Sequence, residues 1–115
     1  MIKTAITEMF GVEYPIICGA MMWLCKPELC AAISNAGGLG NLTAGGYQTE
    51  EEFRDAIRDT RKLTDRPFIV NIAIIPSVRL TTEHHRMYVK VCAEERVAGV
   101  EISGAPLDKG LGMEA

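Results

Sequence analysis

Apolar residues along this chain fall into short unbroken runs separated by longer stretches with a helical period, and that alternation predicts the order of elements. Tyr14-Pro15-Ile16-Ile17-Cys18-Gly19-Ala20-Met21 is a compact apolar run ending in small residues, which predicts a buried strand. Ahead of it, Ile2, Ile6, Met9 and Phe10 are expected to cover one end of a core. Pro27 suits a first helical turn, where the missing N–H costs nothing, and Glu28 suits the positive helix end. Leu29, Ala32, Ile33 and Ala36 then recur at helical spacing until Gly37-Gly38 stops the helix.

The run Leu39-Gly40-Asn41-Leu42-Thr43-Ala44 predicts a second buried strand, followed by a tight turn at Gly45-Gly46. Thr49 with Glu52 three residues on forms a capping signature, and Phe53, Ile57 and Leu63 supply an apolar stripe for a second helix. From Pro67 to Ile75 nearly every residue is apolar, as expected where both faces of a parallel sheet are covered; Asn71 interrupts the run. Thr81-Thr82-Glu83 starts a third helix, with Met87, Tyr88 and Val91 facing inward and an end near Arg96. Residues 97–104 complete a βαβαβαβ order, whose right-handed crossovers imply a parallel sheet. Periodicity leaves open whether that sheet is a doubly wound plane or an arc of a barrel.

At 115 residues, 48% hydrophobic and 23% charged, the chain fits one domain, 1–115. An eight-fold βα barrel needs on the order of 250 residues, so the expectation is an incomplete one. A net charge of −3 without blocks of like charge gives no surface for nucleic acid or an anionic membrane. Lacking a signal-like or membrane-length apolar run, the chain is expected to be cytoplasmic. Cys18, Cys25, Cys30 and Cys92 sit among apolar residues and are expected to be free thiols. Their spacing does not match paired-ligand zinc loops, so no metal is assigned.

Several residues carry two readings. Gly37-Gly38 with Gly40 follows a helix and enters a strand, the reverse of a dinucleotide fingerprint, and reads as a helix stop. Gly45-Gly46 precedes a helix, but Glu50, Glu51 and Glu52 would repel a phosphate there. Asn71 needs hydrogen-bond partners, either a ligand or neighbouring backbone. Met21, Met22 and Trp23 read as core filling rather than a pocket lining. Cys25 and Cys30 read as packing residues without chemistry. His84 and His85, beside Glu83 and Arg86, read as a solvated helix face rather than a catalytic pair.

Tyr14-Pro15-Ile16-Ile17 into Gly19-Ala20-Met21, Ser34-Asn35-Ala36-Gly37-Gly38-Leu39-Gly40, and Leu63-Thr64-Asp65-Arg66-Pro67-Phe68 into Val70-Asn71 together resemble the nitronate monooxygenase family, which includes flavin-dependent enoyl reductases. The resemblance covers about residues 1–105; the tail from Pro106 to Ala115 follows no pattern. It implies an α/β fold, the parallel βαβαβαβ arc of the first half of a TIM barrel, with FMN as cofactor. By the same resemblance, Gly19, Ala20 and Met21 approach the flavin ring, Asn71 contacts it, and Ser103 and Gly104 complete its wall. Ala20 stands where a glycine is more usual and Cys18 where many relatives have glutamine. The family's catalytic histidine and phosphate loops lie on later strands, so no catalytic residue is assigned within this chain.

Two readings of function follow. One is an FMN-dependent oxidoreductase acting on a small-molecule substrate, a nitronate first and an enoyl thioester second. The other is a non-catalytic half-barrel that works only as a homo-oligomer, or with a partner chain, joined through exposed strand edges.

Overall fold

The computed structural model describes residues 2–75 and 78–106. Three parallel strands, β1 (Gly40–Thr43), β2 (Phe68–Ile74) and β3 (Gly99–Gly104), pair in that order, with Thr43, Asn71 and Glu101 abreast. Helices α1 (Ala5–Phe10), α2 (Pro27–Asn35), α3 (Glu50–Leu63) and α4 (Thr82–Glu95) complete the α/β fold, and a 3-10 turn at Ala44–Gly46 follows β1. Of the patternless tail, only Pro106 falls within the described residues. None of the described helices is long and apolar enough to cross a membrane.

The sheet has two unlike faces, because side chains alternate along each strand. Leu42, Val70, Ile72, Val100 and Ile102 pack with Phe53, Ile57, Tyr88, Val89 and Val91 from α3 and α4 in the main core. Phe53 meets Tyr88 edge-on at 5.1 Å between ring centroids, and Tyr88 Oη donates to the Tyr47 carbonyl at 2.6 Å. Burying each such side chain contributes about 1.5–3 kcal/mol. On the opposite face, Leu39 and Ile69 are capped by Ile6, Phe10 and Val12. Above that apolar layer the same face turns polar, with Asn41, Thr43, Asn71, Glu101 and Ser103 in succession.

Local chemistry explains most boundaries. Thr49 Oγ1 accepts from Glu52 N–H at 3.2 Å and starts α3, as its sequence predicts. At the start of α4 the residue reaching back is His84, whose Nδ1 accepts from Thr81 N–H at 3.2 Å. Arg54 joins Glu50 at 2.9 Å and Glu94 at 2.5 Å, and Arg58 joins Glu95 at 2.6 Å, so α3 and α4 are laced along their outer edges. Gly40 is required by proximity: a Cβ there would lie 2.2 Å from the Cys30 carbonyl oxygen, which would force α2 away from β1.

Several expectations need correction. The strand foreseen over Tyr14–Met21 is a single parallel bridge between Ile17 and Leu39. Pro15 offers no N–H, β1 is only four residues long, and Ile16 and Ile17 have no neighbour on their other side among the described residues; both stay exposed. Ile6 and Phe10 pack as foreseen, but Ile2 and Met9 are exposed, because α1 presents one stripe only. The buried face of α2 is Pro27, Cys30, Ala31 and Ser34, leaving Ala32 and Ala36 outside, because contact with Gly40 rotates the helix toward its small residues. Leu63, at the last turn of α3, is exposed. Met21 and Trp23 are exposed rather than core filling. His85 is 7% exposed and not on a solvated face.

Candidate functional site

The second of the sequence blocks proves to be a bracket that sets the height of the strands. Ser34, fully buried, donates through Oγ to the Pro67 carbonyl at 2.8 Å and accepts from Gly40 N–H at 3.0 Å. Asn35 donates to the Leu63 carbonyl at 3.0 Å and accepts from Thr64 Oγ1 at 2.5 Å. These bonds tie α2 to the entries of β1 and β2, which brings Asn41 and Asn71 to one face at their observed register.

On that face a polar network runs across all three strands. Asn71 Nδ2 donates to Glu101 Oε1 at 2.8 Å and to Ser103 Oγ at 3.2 Å. Asn41 Nδ2 donates to Glu101 Oε2 at 3.2 Å and to the Cys18 carbonyl at 3.1 Å. The Glu101 carboxylate therefore lies between two amides, and among the described residues no cation pairs with it. Asn41 and Asn71 are 0% and 2% exposed, whereas Ser103 and Gly104 at the strand end are open to solvent. Gly104 adopts φ +83°, and a Cβ there would meet the Ile74 carbonyl oxygen at 2.3 Å, so this strand end admits only glycine without distortion.

Of the residues singled out in the sequence, Asn71 and Ser103 take part in this network, and the others lie in the segments that border it. Gly19 follows Cys18, whose carbonyl holds Asn41; Ala20 and Met21 continue the same segment; Asn71, Ser103 and Gly104 close its far side. Asn41 and Glu101 were missed, although each carries the signal used for Asn71, a polar side chain inside an apolar strand. Cys18 borders the network, and burial first, then its bond to Cys25 and the charges of Cys25 and Glu101, push its thiol above the usual range. His84 serves as a helix cap, while His85 bonds the Ala73 backbone and its buried Nε2 has no hydrogen-bond partner among the described residues. Burial holds the His85 imidazole below its usual pKa.

Three features of this face suit a planar heteroaromatic cofactor. Asn41 Oδ1 and Thr43 Oγ1 are buried without a hydrogen-bond partner among the described residues. Nothing lies within 4 Å of a Cβ built on Gly19, so a ring can approach that backbone closely. The strand C-termini, where ligands of parallel α/β folds sit, are the end at which the polar row opens. A cleft of about 550 Å³ lies at the opposite end, among Phe10, Arg61, Arg66 and Arg96, where loops serve the scaffold rather than the site. No cluster of three metal-ligating side chains occurs among the described residues.

A dehydrogenase of Rhodococcus jostii (strain RHA1), named for (3aS,4S,5R,7aS)-5-hydroxy-7a-methyl-1-oxo-octahydro-1H-indene-4-carboxyl-CoA, is 46% identical over 71 residues, which are 62% of this chain and 20% of that protein. A nitronate monooxygenase of Pseudomonas aeruginosa is 46% identical over 66 residues, 57% of this chain and 18% of that protein. The structure of FabK from Thermotoga maritima superposes with a TM-score of 0.79 at 35% identity, covering 99% of this chain and 35% of FabK. The aligned stretches thus span about a fifth of these two curated relatives and about a third of FabK. With the family model described as nitronate monooxygenase matching residues 3–108, the chain belongs to the nitronate monooxygenase family of flavin-type oxidoreductases.

Proposed function

We propose that this chain supplies the first wall of an FMN site in an oxidoreductase that oxidises small nitronates. The observation that carries the reading is the polar row on the sheet face opposite α3 and α4, with two buried acceptors, at Asn41 and Thr43, left unpartnered among the described residues. Gly19, Ala20 and Met21 would lie against the ring, Asn71 at its polar edge, and Ser103 and Gly104 below it. Bound FMN supplies reversible electron transfer to and from the substrate. The chain's own part is positional: Glu101 fixes both amides, the bracket at Ser34 fixes the strand heights, and Gly104 keeps the strand end narrow. No histidine stands on this face among the described residues.

FMN titration by flavin fluorescence, followed by nitronate turnover, tests the reading. Saturable binding weakened at least tenfold by Asn71→Ala supports it; no saturation, or identical binding by the variant, overturns it. Enoyl-thioester reduction is the second reading, favoured by the likeness to FabK and to a carboxyl-CoA dehydrogenase. Turnover of an enoyl thioester with reduced nicotinamide, and none of a nitronate, would establish it instead.

The edges at Ile16–Ile17 and along β3 are unpaired among the described residues, and Trp23 and Leu24 are exposed nearby. We propose that a second copy of the chain covers them. A strictly monomeric mass at high concentration overturns that assembly.

A further inference from the structure

The segment between the Ile17 bridge and α2 brings two thiols together. Cys18 Sγ and Cys25 Sγ lie 3.9 Å apart, close to van der Waals contact for sulfur. Both sulfurs are also within reach of one acceptor, the Gly19 carbonyl oxygen, at 3.2 Å from Cys18 and 3.5 Å from Cys25. Each backbone is anchored to the β1 strand or its entry: Cys18 N–H donates to the Leu39 carbonyl at 3.1 Å, and the Cys25 carbonyl accepts from Thr43 N–H at 3.1 Å. The pair is therefore held in place by the sheet, while the six residues between them form the loop that carries Gly19, Ala20 and Met21.

Accessibility differs in a useful way. Cys18 is half-buried and open to reagents, whereas Cys25 is 2% exposed and sits behind it. Cys30 and Cys92 lie inside the main core. All four are thiols in this structure.

We propose that Cys18 and Cys25 form a thiol–disulfide switch, oxidised by a small-molecule disulfide of the glutathione class, that clamps the Gly19–Leu24 loop. The Cys18 thiolate attacks one sulfur of the reagent, forms a mixed disulfide and releases one small thiolate. Deprotonated Cys25 then attacks Cys18 Sγ, closing the Cys18–Cys25 bond and releasing the second small thiolate. Two electrons pass to the reagent, and the two cysteine protons end on the released thiols. Closure shortens the sulfur separation from 3.9 Å to about 2.05 Å.

Oxidation has a local consequence that follows from the shared acceptor. The disulfide has no S–H, so the Gly19 carbonyl loses both thiol donors at once. Burial pushes the Cys18 thiol up, so the pair is assigned on proximity rather than on an unusually acidic thiol. Neither step requires the flavin reading.

The test incubates the 115-residue chain with oxidised glutathione, traps remaining thiols by alkylation in acid, and maps non-reduced peptides by mass spectrometry. The expected result is a fall from four free thiols to two, a Cys18–Cys25 cross-link, and full reversal by dithiothreitol. Trp23, the only tryptophan, lies in the clamped loop, and its fluorescence should change on oxidation in the parent and not in Cys18→Ser. Cys25→Ser should stop at a mixed disulfide on Cys18. The parent's peptide map decides the matter even where a variant folds poorly. Four thiols remaining, a mixed disulfide that persists in the parent, a Cys25–Cys30 link, or cross-links only between chains would each overturn the switch.

Discussion

Replacing Ser34 by alanine removes one oxygen atom and tests the bracket that places the polar row. The side chain is fully buried, and its Oγ serves both Pro67 O at 2.8 Å and Gly40 N at 3.0 Å. Alanine fits the same helical position and favours helix slightly, so backbone propensity does not contribute to a loss. The cost comes from the two groups left behind. Gly40 is buried, so its N–H loses its only side-chain partner without gaining water, which costs about 1–3 kcal/mol. Pro67 is half-buried, so its carbonyl regains some water and adds about 1 kcal/mol. Together the loss is about 2–4 kcal/mol, a large share of the 5–15 kcal/mol that holds a typical domain. Urea unfolding followed by circular dichroism should show a lower midpoint with an unchanged slope, and the melting temperature should fall by roughly 10–20 °C. A loss below about 0.5 kcal/mol would refute the bracket, because it would mean that neither backbone group depends on Ser34.

Two further outcomes follow from the same contacts. Glu101→Gln places an NH2 group against Asn41 or Asn71, and Asn41 cannot turn its amide without giving up the Cys18 carbonyl; urea unfolding should show a loss of about 1–3 kcal/mol, and unchanged stability would contradict the network. His85 has a folded-state pKa held below its unfolded value, so the unfolded chain takes the proton first as pH falls; its contribution is fully present above about pH 6.5 and is lost as pH drops through the lower folded value. Stability measured across that window should decline more steeply in the parent than in His85→Leu, and equal slopes would contradict the burial argument.

How far the sequence led depended on whether each feature was local. The β2 strand was legible because the run from Phe68 to Ile74 is apolar on both faces, and α3 because Thr49 and Glu52 write its start into adjacent positions. The segment at Tyr14–Met21 was not, since a strand exists only where a neighbour pairs with it along its length, and among the described residues it makes a single β-bridge, to Leu39. The buried face of α2 was misjudged because Cys30 and Ser34 outrank the larger Leu29 and Ile33 once Gly40 brings the backbones together. Asn71 was found from its break in an apolar run, but its partners depend on register, which sets Glu101 beside it. Asn41 breaks the apolar run 39–44 in the same way, but only register, which sets Glu101 within its reach, makes it a member of the site. The pairing of Cys18 with Cys25 is likewise a property of the loop geometry rather than of their spacing.

The central claim is that the polar face from Gly19 to Gly104 receives the flavin ring, and amide chemical-shift mapping of the isotopically labelled chain during FMN addition tests it most directly. The account predicts saturable shifts at Gly19, Ala20 and Met21, at the Asn71 side-chain amide, and at Ser103 and Gly104. Absence of shifts at saturating FMN, or shifts confined to the cleft at Arg61, Arg66 and Arg96, would contradict it.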